Sequence, residues 1–115
     1  MKTRKIAIIG VGHVGAHVAY SLAVQGIADE LLLIDQNEQK AVSECQDLRD
    51  SIAYCPHRVH VQVGDFADLK DCDLIINSVG KIELLIANND RLDEMDFTIS
   101  AVNSYVEKIK ASGFD

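Results

Sequence analysis

The segment Gly10-Val11-Gly12-His13-Val14-Gly15 constrains this chain more than any other feature. Glycines at G-x-G-x-x-G spacing carry little weight alone and gain meaning from what flanks them. Here Lys5 to Ile9, rich in isoleucine, reads as a strand that ends at Gly10. Val14 to Gln25 follows at helical spacing, with Val14, Val18 and Leu22 along one side and Gly26 as the stop. Leu31 to Ile34 is a second apolar run, closed by Asp35. Strand, glycine turn, helix and second strand are the parts of a dinucleotide-binding unit.

Each glycine has a separate duty in such a unit. Gly10 allows the tight turn, Gly12 lets a pyrophosphate approach the backbone, and Gly15 lets the helix pack close to the strand. The helix N-terminus, led by His13 and Val14, offers free N–H groups and a partial positive charge to phosphates. Asp35 lies twenty residues after Gly15, the spacing of a carboxylate that accepts hydrogen bonds from the adenosine ribose. That carboxylate would repel a 2′-phosphate, and Gln36-Asn37 supply no compensating arginine. NAD is therefore expected over NADP. The nearest cation is Lys40, about one helical turn further on. Glycines that serve packing alone, with Asp35 capping the next helix, are the competing reading; it requires all these spacings to coincide by chance. No G-x-x-x-x-G-K is present, and Lys108 lies one residue too close to Tyr105 for Tyr-x-x-x-Lys.

The rest of the chain continues the alternation. Gln39 to Ile52 is helical, with Val42, Cys45, Leu48 or Arg49, and Ile52 on one face. Val59, Val61 and Val63 alternate with His60 and Gln62, as in a half-buried strand. A short helical turn is expected at Ala67 to Lys70, and a fourth apolar run spans Leu74 to Ile76 and continues to Val79. Lys81 to Asp90 reads as a loop; Met95, Ile99, Val102, Val106 and Ile109 then recur at helical spacing up to Gly113. The order β-α-β-α-β-β-α predicts an α/β fold: a Rossmann-type doubly wound parallel sheet. With about four strands the sheet is incomplete, so residues 1–115 are expected to be one dinucleotide-binding domain, cut short before its later strands and a catalytic domain.

Charge and cysteines narrow the partners. A net charge of −7 gives no long-range attraction for nucleic acid or anionic membranes. No apolar run is long enough for a membrane span or a signal-peptide core. Cys45, Cys55 and Cys72 are odd in number and lack C-x-x-C spacing, which reads as free thiols in a cytoplasmic protein. His13 and His17 stand at i, i+4 without an evident third ligand, so no metal is expected.

Taken together, Gly10 to Asp35, Gln25-Gly26-Ile27-Ala28-Asp29-Glu30, Ile34-Asp35-Gln36-Asn37-Glu38, Asp65-Phe66-Ala67-Asp68-Leu69, Asp71-Cys72-Asp73-Leu74, Asp90-Arg91-Leu92 and Ala111-Ser112-Gly113-Phe114-Asp115 resemble the lactate/malate dehydrogenase family. Phe97-Thr98 is similar to the L-2-hydroxyisocaproate dehydrogenase branch. The resemblance implies an NAD-dependent oxidoreductase that interconverts L-2-hydroxy acids and 2-oxo acids, cytoplasmic and homo-oligomeric when full length. It implies that Val14 meets the pyrophosphate through its backbone and that Asp35 holds the ribose with Lys40 nearby. Phe66 would line the adenine pocket, Gly80 and Lys81 would pass the other ribose, and Ser104 aligns loosely with a cofactor contact. Arg91 aligns with a mobile-loop arginine that closes over the substrate and polarises its carbonyl. The family's acid–base histidine, its aspartate and its carboxylate-binding arginine would lie beyond residue 115, and His13, His17, His57 and His60 do not align with that histidine. The fragment alone is thus expected to be inactive.

Two departures concern the substrate. Arg91 lies eleven residues after Gly80, a longer interval than in short-loop members. Glu83 falls near the substrate-selecting position, where a second substrate carboxylate would find only Lys81 and Arg91 nearby, so malate is disfavoured. The loop residues Ile82, Leu84, Leu85 and Ile86 suit a branched or larger apolar 2-oxo acid. The alternative is a stand-alone NAD(H)-binding or redox-sensing module, which needs only the glycine turn and Asp35 and gives Arg91 no role.

Overall fold

The computed structural model describes residues 3–79 and 91–114, with the side chains of residues 91–98 left aside. The expected loop from Lys81 to Asp90 and the position of Gly80 lie outside the described residues. Four strands form one parallel sheet in the order β3-β2-β1-β4: β1 (Lys5–Ile9), β2 (Glu30–Ile34), β3 (His60–Val63) and β4 (Leu74–Asn77). Helices α1 (His13–Val24) and α2 (Glu38–Ser51) join the first three strands. A 3-10 helix over Phe66–Asp71 precedes β4, and α3 (Arg91–Ser112) follows it.

The apolar strands are covered on both faces, as parallel strands require. Ile6, Ile8, Leu31, Leu33 and Val61 turn to one side, where they meet Ala19 and Ala23 of α1 and Ala41, Cys45 and Leu48 of α2. Ala7, Ile9, Leu32 and Ile34 turn to the other, against Leu69 of the 3-10 segment, Cys72 just after it and Tyr105 of α3. A residue step along each strand switches layers, so these short apolar runs build two cores at once.

The helix faces differ from the sequence expectation. Val14 is 67% exposed, and α1 instead buries Gly15, Ala19 and Ala23 at i, i+4, i+8. Small side chains let the helix axis lie close to the sheet, which rotates the larger valine outward. In α2, Val42 is exposed and Ala41 takes the inward place beside Cys45 and Leu48. Arg49 reaches the carbonyl of Val61, with its Nε at 2.9 Å, instead of joining the apolar face. In α3, Ile99 is half exposed, and the inward row is Ala101 and Tyr105 with Val102 and Ile109 beside them.

Chain order places the site. β1 leads through α1 to β2 on one side, whereas β4 lies on its other side. This divergence opens a crevice at the carboxyl ends of β1 and β4, the switch point where open α/β sheets take ligands. At the opposite end Arg4 ties the entry to β1 onto the α1–β2 turn. Its Nε lies 3.0 Å from Asp29 Oδ2, its backbone N–H donates to the same oxygen at 2.8 Å, and its Nη2 donates to the Gly26 carbonyl at 2.9 Å.

These donors from Arg4 hold the Asp29 carboxyl below the usual carboxylate range. The folded state thus binds its proton less readily than the unfolded chain, so the contribution is complete above the unfolded value near ~4 and is lost as pH falls through the lowered folded value. Asp29→Asn should flatten that acid limb in urea-melt stability measured between neutral and acid pH, with a small effect because both groups are exposed.

Candidate functional site at the switch point

The glycine turn is held from three sides. Gly10 N–H donates to the Ile34 carbonyl at 2.8 Å, which fixes the end of β1 to the end of β2. Ser78 N–H donates to the Ile9 carbonyl at 2.9 Å, and the Ser78 hydroxyl donates to the carbonyl of Gly10. Asp35 completes the frame, accepting the Val11 N–H at Oδ2 and the Asn37 N–H at Oδ1, each at 2.9 Å. Asn37, not Asp35, caps α2, through the Lys40 N–H. An ionised carboxylate has about four lone-pair sites, so two backbone bonds orient Asp35 and leave capacity for a ribose hydroxyl pair.

The three motif glycines stand in different surroundings. Gly10 has φ +91°, a left-handed conformation that side-chain-bearing residues rarely adopt. A Cβ on Gly15 would lie 2.0 Å from the Gly10 carbonyl oxygen, so the protein's own backbone fills that space. A Cβ on Gly12 would meet only Lys40 Nζ, at 3.8 Å. Nothing within the described protein demands a glycine there. The open volume over Gly12 fits an external group that must come close to the backbone.

The same point has the donors and the charge that suit an anion. Gly12 is the N-cap of α1 and offers no side chain to the first-turn N–H groups, and that turn holds no acidic residue. Helix geometry leaves these donors without intrahelical acceptors. Lys40 Nζ adds a positive charge above them.

One cleft of about 170 Å³ gathers Ile9, Gly10, Gly12, Ile34, Asp35, Gln36, Lys40, Phe66, Ser78, Val79 and Tyr105. A second hollow continues past Asp35, Gln36 and Phe66 to Glu38, Gly64, Asp65 and Asp68. A larger cavity, about 720 Å³, lies among Asp29, Arg49, Ile52, Pro56 and His60 at the amino ends of β2 and β3. That end of a parallel sheet has neither the glycine turn nor the α1 N-terminus, so size does not decide the site.

Of the residues singled out in the sequence, Gly10, Gly12, Asp35, Lys40 and Phe66 meet in this cleft. Gly15 lies buried beneath it, and His13 and Val14 are exposed at the start of α1. Ser104 is not among the cleft's lining residues; its hydroxyl donates to the Ala101 carbonyl at 2.6 Å within α3. Gly80, Lys81 and Glu83 lie outside the described residues, as does the side chain of Arg91, whose backbone opens α3. Sequence reasoning missed Ser78, Val79 and Tyr105. The position of Ser78 just past a strand that ends beside the glycine turn was a usable signal. Tyr105 lies outside the apolar stripe from Met95 to Ile109 and was weighed only against Tyr-x-x-x-Lys, so its place in the cleft went unseen.

A floor, a charged rim and an aromatic wall are thus present. Phe66 stacks on Tyr105 with ring centroids 5.6 Å apart, and Lys108 Nζ lies 5.2 Å from the Phe66 centroid. The arrangement can hold a diphosphate over Gly12, a ribose at Asp35 and a flat apolar ring near Phe66. This chemistry fits a dinucleotide.

Comparison with known proteins agrees with the geometry. Residues 4–115 match the family model described as lactate/malate dehydrogenase, NAD binding domain. L-lactate dehydrogenase 1 of Bifidobacterium longum is 39% identical over 115 residues, all of this chain and 36% of that protein. L-lactate dehydrogenase 3 of Bacillus cereus is 43% identical over 113 residues, 98% of this chain and 35% of that protein. The crystal structure of the minor L-lactate dehydrogenase from Enterococcus mundtii in its ligands-bound form superposes with a TM-score of 0.86 at 36% identity, covering 98% of this chain and 35% of that one. The chain therefore spans about a third of the length of the relatives it matches.

The glycines should separate experimentally. Gly15→Ala must displace the Gly10 carbonyl and should cost about 1–3 kcal/mol or more in urea unfolding. Gly12→Ala should cost only the helix-cap preference, about 1 kcal/mol or less, yet weaken NADH binding by about tenfold or more in a fluorescence titration, because its methyl occupies the open cradle.

Proposed function

The chain belongs to the lactate/malate dehydrogenase family through its NAD-binding domain, and on that premise we propose that it is the cofactor-holding part of an enzyme interconverting L-2-hydroxy acids and 2-oxo acids. The observation that carries this reading is the open cradle at Gly12 beside the oriented carboxylate of Asp35. NAD, when bound, supplies the hydride exchange at the carbon that bears the hydroxyl or oxo group.

The chain's own residues hold and orient that cofactor. Backbone N–H groups at His13, Val14 and Gly15 face the phosphates at the uncapped start of α1. Asp35 accepts from the adenosine ribose, with Lys40 Nζ adding charge close to Gly12. Phe66 offers its ring to the adenine. Gly80 and Lys81 are assigned to the turn beside the other ribose, and Ser104 to a peripheral contact. Arg91 is assigned the negative charge that develops on the substrate carbonyl oxygen, where a guanidinium in a water-poor site is most effective.

The substrate reading rests on the loop sequence. Ile82, Leu84, Leu85 and Ile86 favour an apolar 2-oxo acid of the hydroxyisocaproate type, with Glu83 at the substrate-selecting position. The proposal extends to a cytoplasmic homo-oligomer without a nucleic-acid or membrane partner. The net charge of −7 supports the exclusion of polyanions. Among the described residues, no helix is long and apolar enough to cross a membrane.

NADH and NADPH titrations of this chain test the cofactor part. NADH should bind more tightly by tenfold or more, and Asp35→Ala should weaken NADH by about 10–100-fold, the worth of a charge-assisted hydrogen bond. Equal binding of the two cofactors by the unmutated chain would refute the assignment of Asp35. In an enzyme carrying this domain, Arg91→Gln should lower turnover far more than NADH affinity; unchanged turnover would remove Arg91 from the chemistry.

A further inference from the structure

Tyr105 is 5% exposed on α3, and its ring belongs to the apolar layer beneath the sheet. Its hydroxyl is bonded to Asn77 Oδ1, at the end of β4. The same oxygen receives the Val79 N–H at 3.2 Å. A backbone N–H can only donate, so Asn77 Oδ1 is the acceptor in both bonds and the phenol is the donor. Burial pushes the Tyr105 phenol up from its ordinary range, which keeps that proton in place.

The consequence reaches the cleft along two routes. Val79 lines the cleft and lies against the left-handed turn, where a Cβ on Gly10 would come within 2.9 Å of its side chain. Phe66, the aromatic wall, stacks on the Tyr105 ring itself. One side chain from α3 therefore backs the wall through its ring and fixes the turn after β4 through its hydroxyl.

We infer that Tyr105 is a positioning residue for the cofactor: through Asn77 Oδ1 it sets the Val79 turn, and through its ring it sets Phe66, so that both edges of the adenosine site are placed by α3. This inference rests on the proposed NAD-binding role of the cleft. Hydroxyl and ring make separable contributions. The ring supplies packing that phenylalanine would keep, whereas the hydroxyl supplies alignment that phenylalanine would lose.

The test is a double-mutant cycle on NADH affinity with Tyr105→Phe and Asn77→Leu, read in this chain well below every variant's melting temperature. Tyr105→Phe should weaken NADH by about fivefold to tenfold, the worth of one hydrogen bond. Asn77→Leu should do the same, and the double variant should be no worse than either single one. A lower melting temperature with unchanged NADH affinity would make the bond merely structural and overturn the inference. Losses that multiply in the double variant would also overturn it, since the two groups would then act independently. If the unmutated chain bound no NADH, the cofactor role of this cleft in this chain would fall and this inference with it; normal binding with an indifferent Tyr105→Phe would remove only the inference.

Discussion

Everything at this site depends on the close contact between the first helix and the first strand. Gly15 lies so near the Gly10 carbonyl that even a methyl group has no room. That approach lays the start of α1 directly over the end of β1. It aims the helix's uncapped N–H groups at the crevice, and it sets Gly12 at the crest of the turn with open space above it. The Ser78 hydroxyl bonds the same Gly10 carbonyl, so β4 shares in holding the one group that fixes the helix. A Cβ on Gly15 would meet that hydroxyl as well, at 2.7 Å.

The sheet turns this local contact into a binding site. Parallel strands bring all their carboxyl ends to one edge, and the reversal between β2 and β4 around β1 leaves that edge open. Asp35 closes β2 within hydrogen-bonding reach of the Val11 N–H, so the carboxylate proposed to take the ribose is oriented by the turn proposed to receive the phosphates. The two recognition elements are thereby fixed relative to each other by a 2.9 Å bond, not by the stiffness of a loop. The acidic residues Glu38, Asp65 and Asp68 line the adjoining hollow, which places further negative charge on the side where a 2′-phosphate would have to sit.

Much of this was legible because the signals are local. The glycine spacing, the apolar runs and the carboxylate at the end of β2 each depend on a few neighbouring residues, and the strand-helix alternation follows from periodicity. The helix faces were less legible. Val14, Val42 and Ile99 are apolar and correctly spaced, yet they point outward: small residues at Gly15, Ala19, Ala23 and Ala41 let backbones approach and take the inward places in the first two helices, and Ala101 and Tyr105 take them in α3. Hydrophobicity alone cannot tell a large residue that fills a core from a small one that permits close packing.

Sequence by itself determined the architecture and the positions of the glycine turn and of the carboxylate that we propose selects NAD, since each is a matter of spacing along the chain. The duties that spacing assigns to Gly12 and Gly15 acquire their physical cause only in the tertiary structure, where the Gly10 carbonyl and the Ser78 hydroxyl fill the space beside Gly15 while only Lys40 Nζ approaches Gly12. The tertiary structure also brought Ser78, Val79 and Tyr105 to the cleft. Their roles come from contacts across the sheet, with Tyr105 and Asn77 separated by 28 positions, and no local pattern encodes a meeting at that distance.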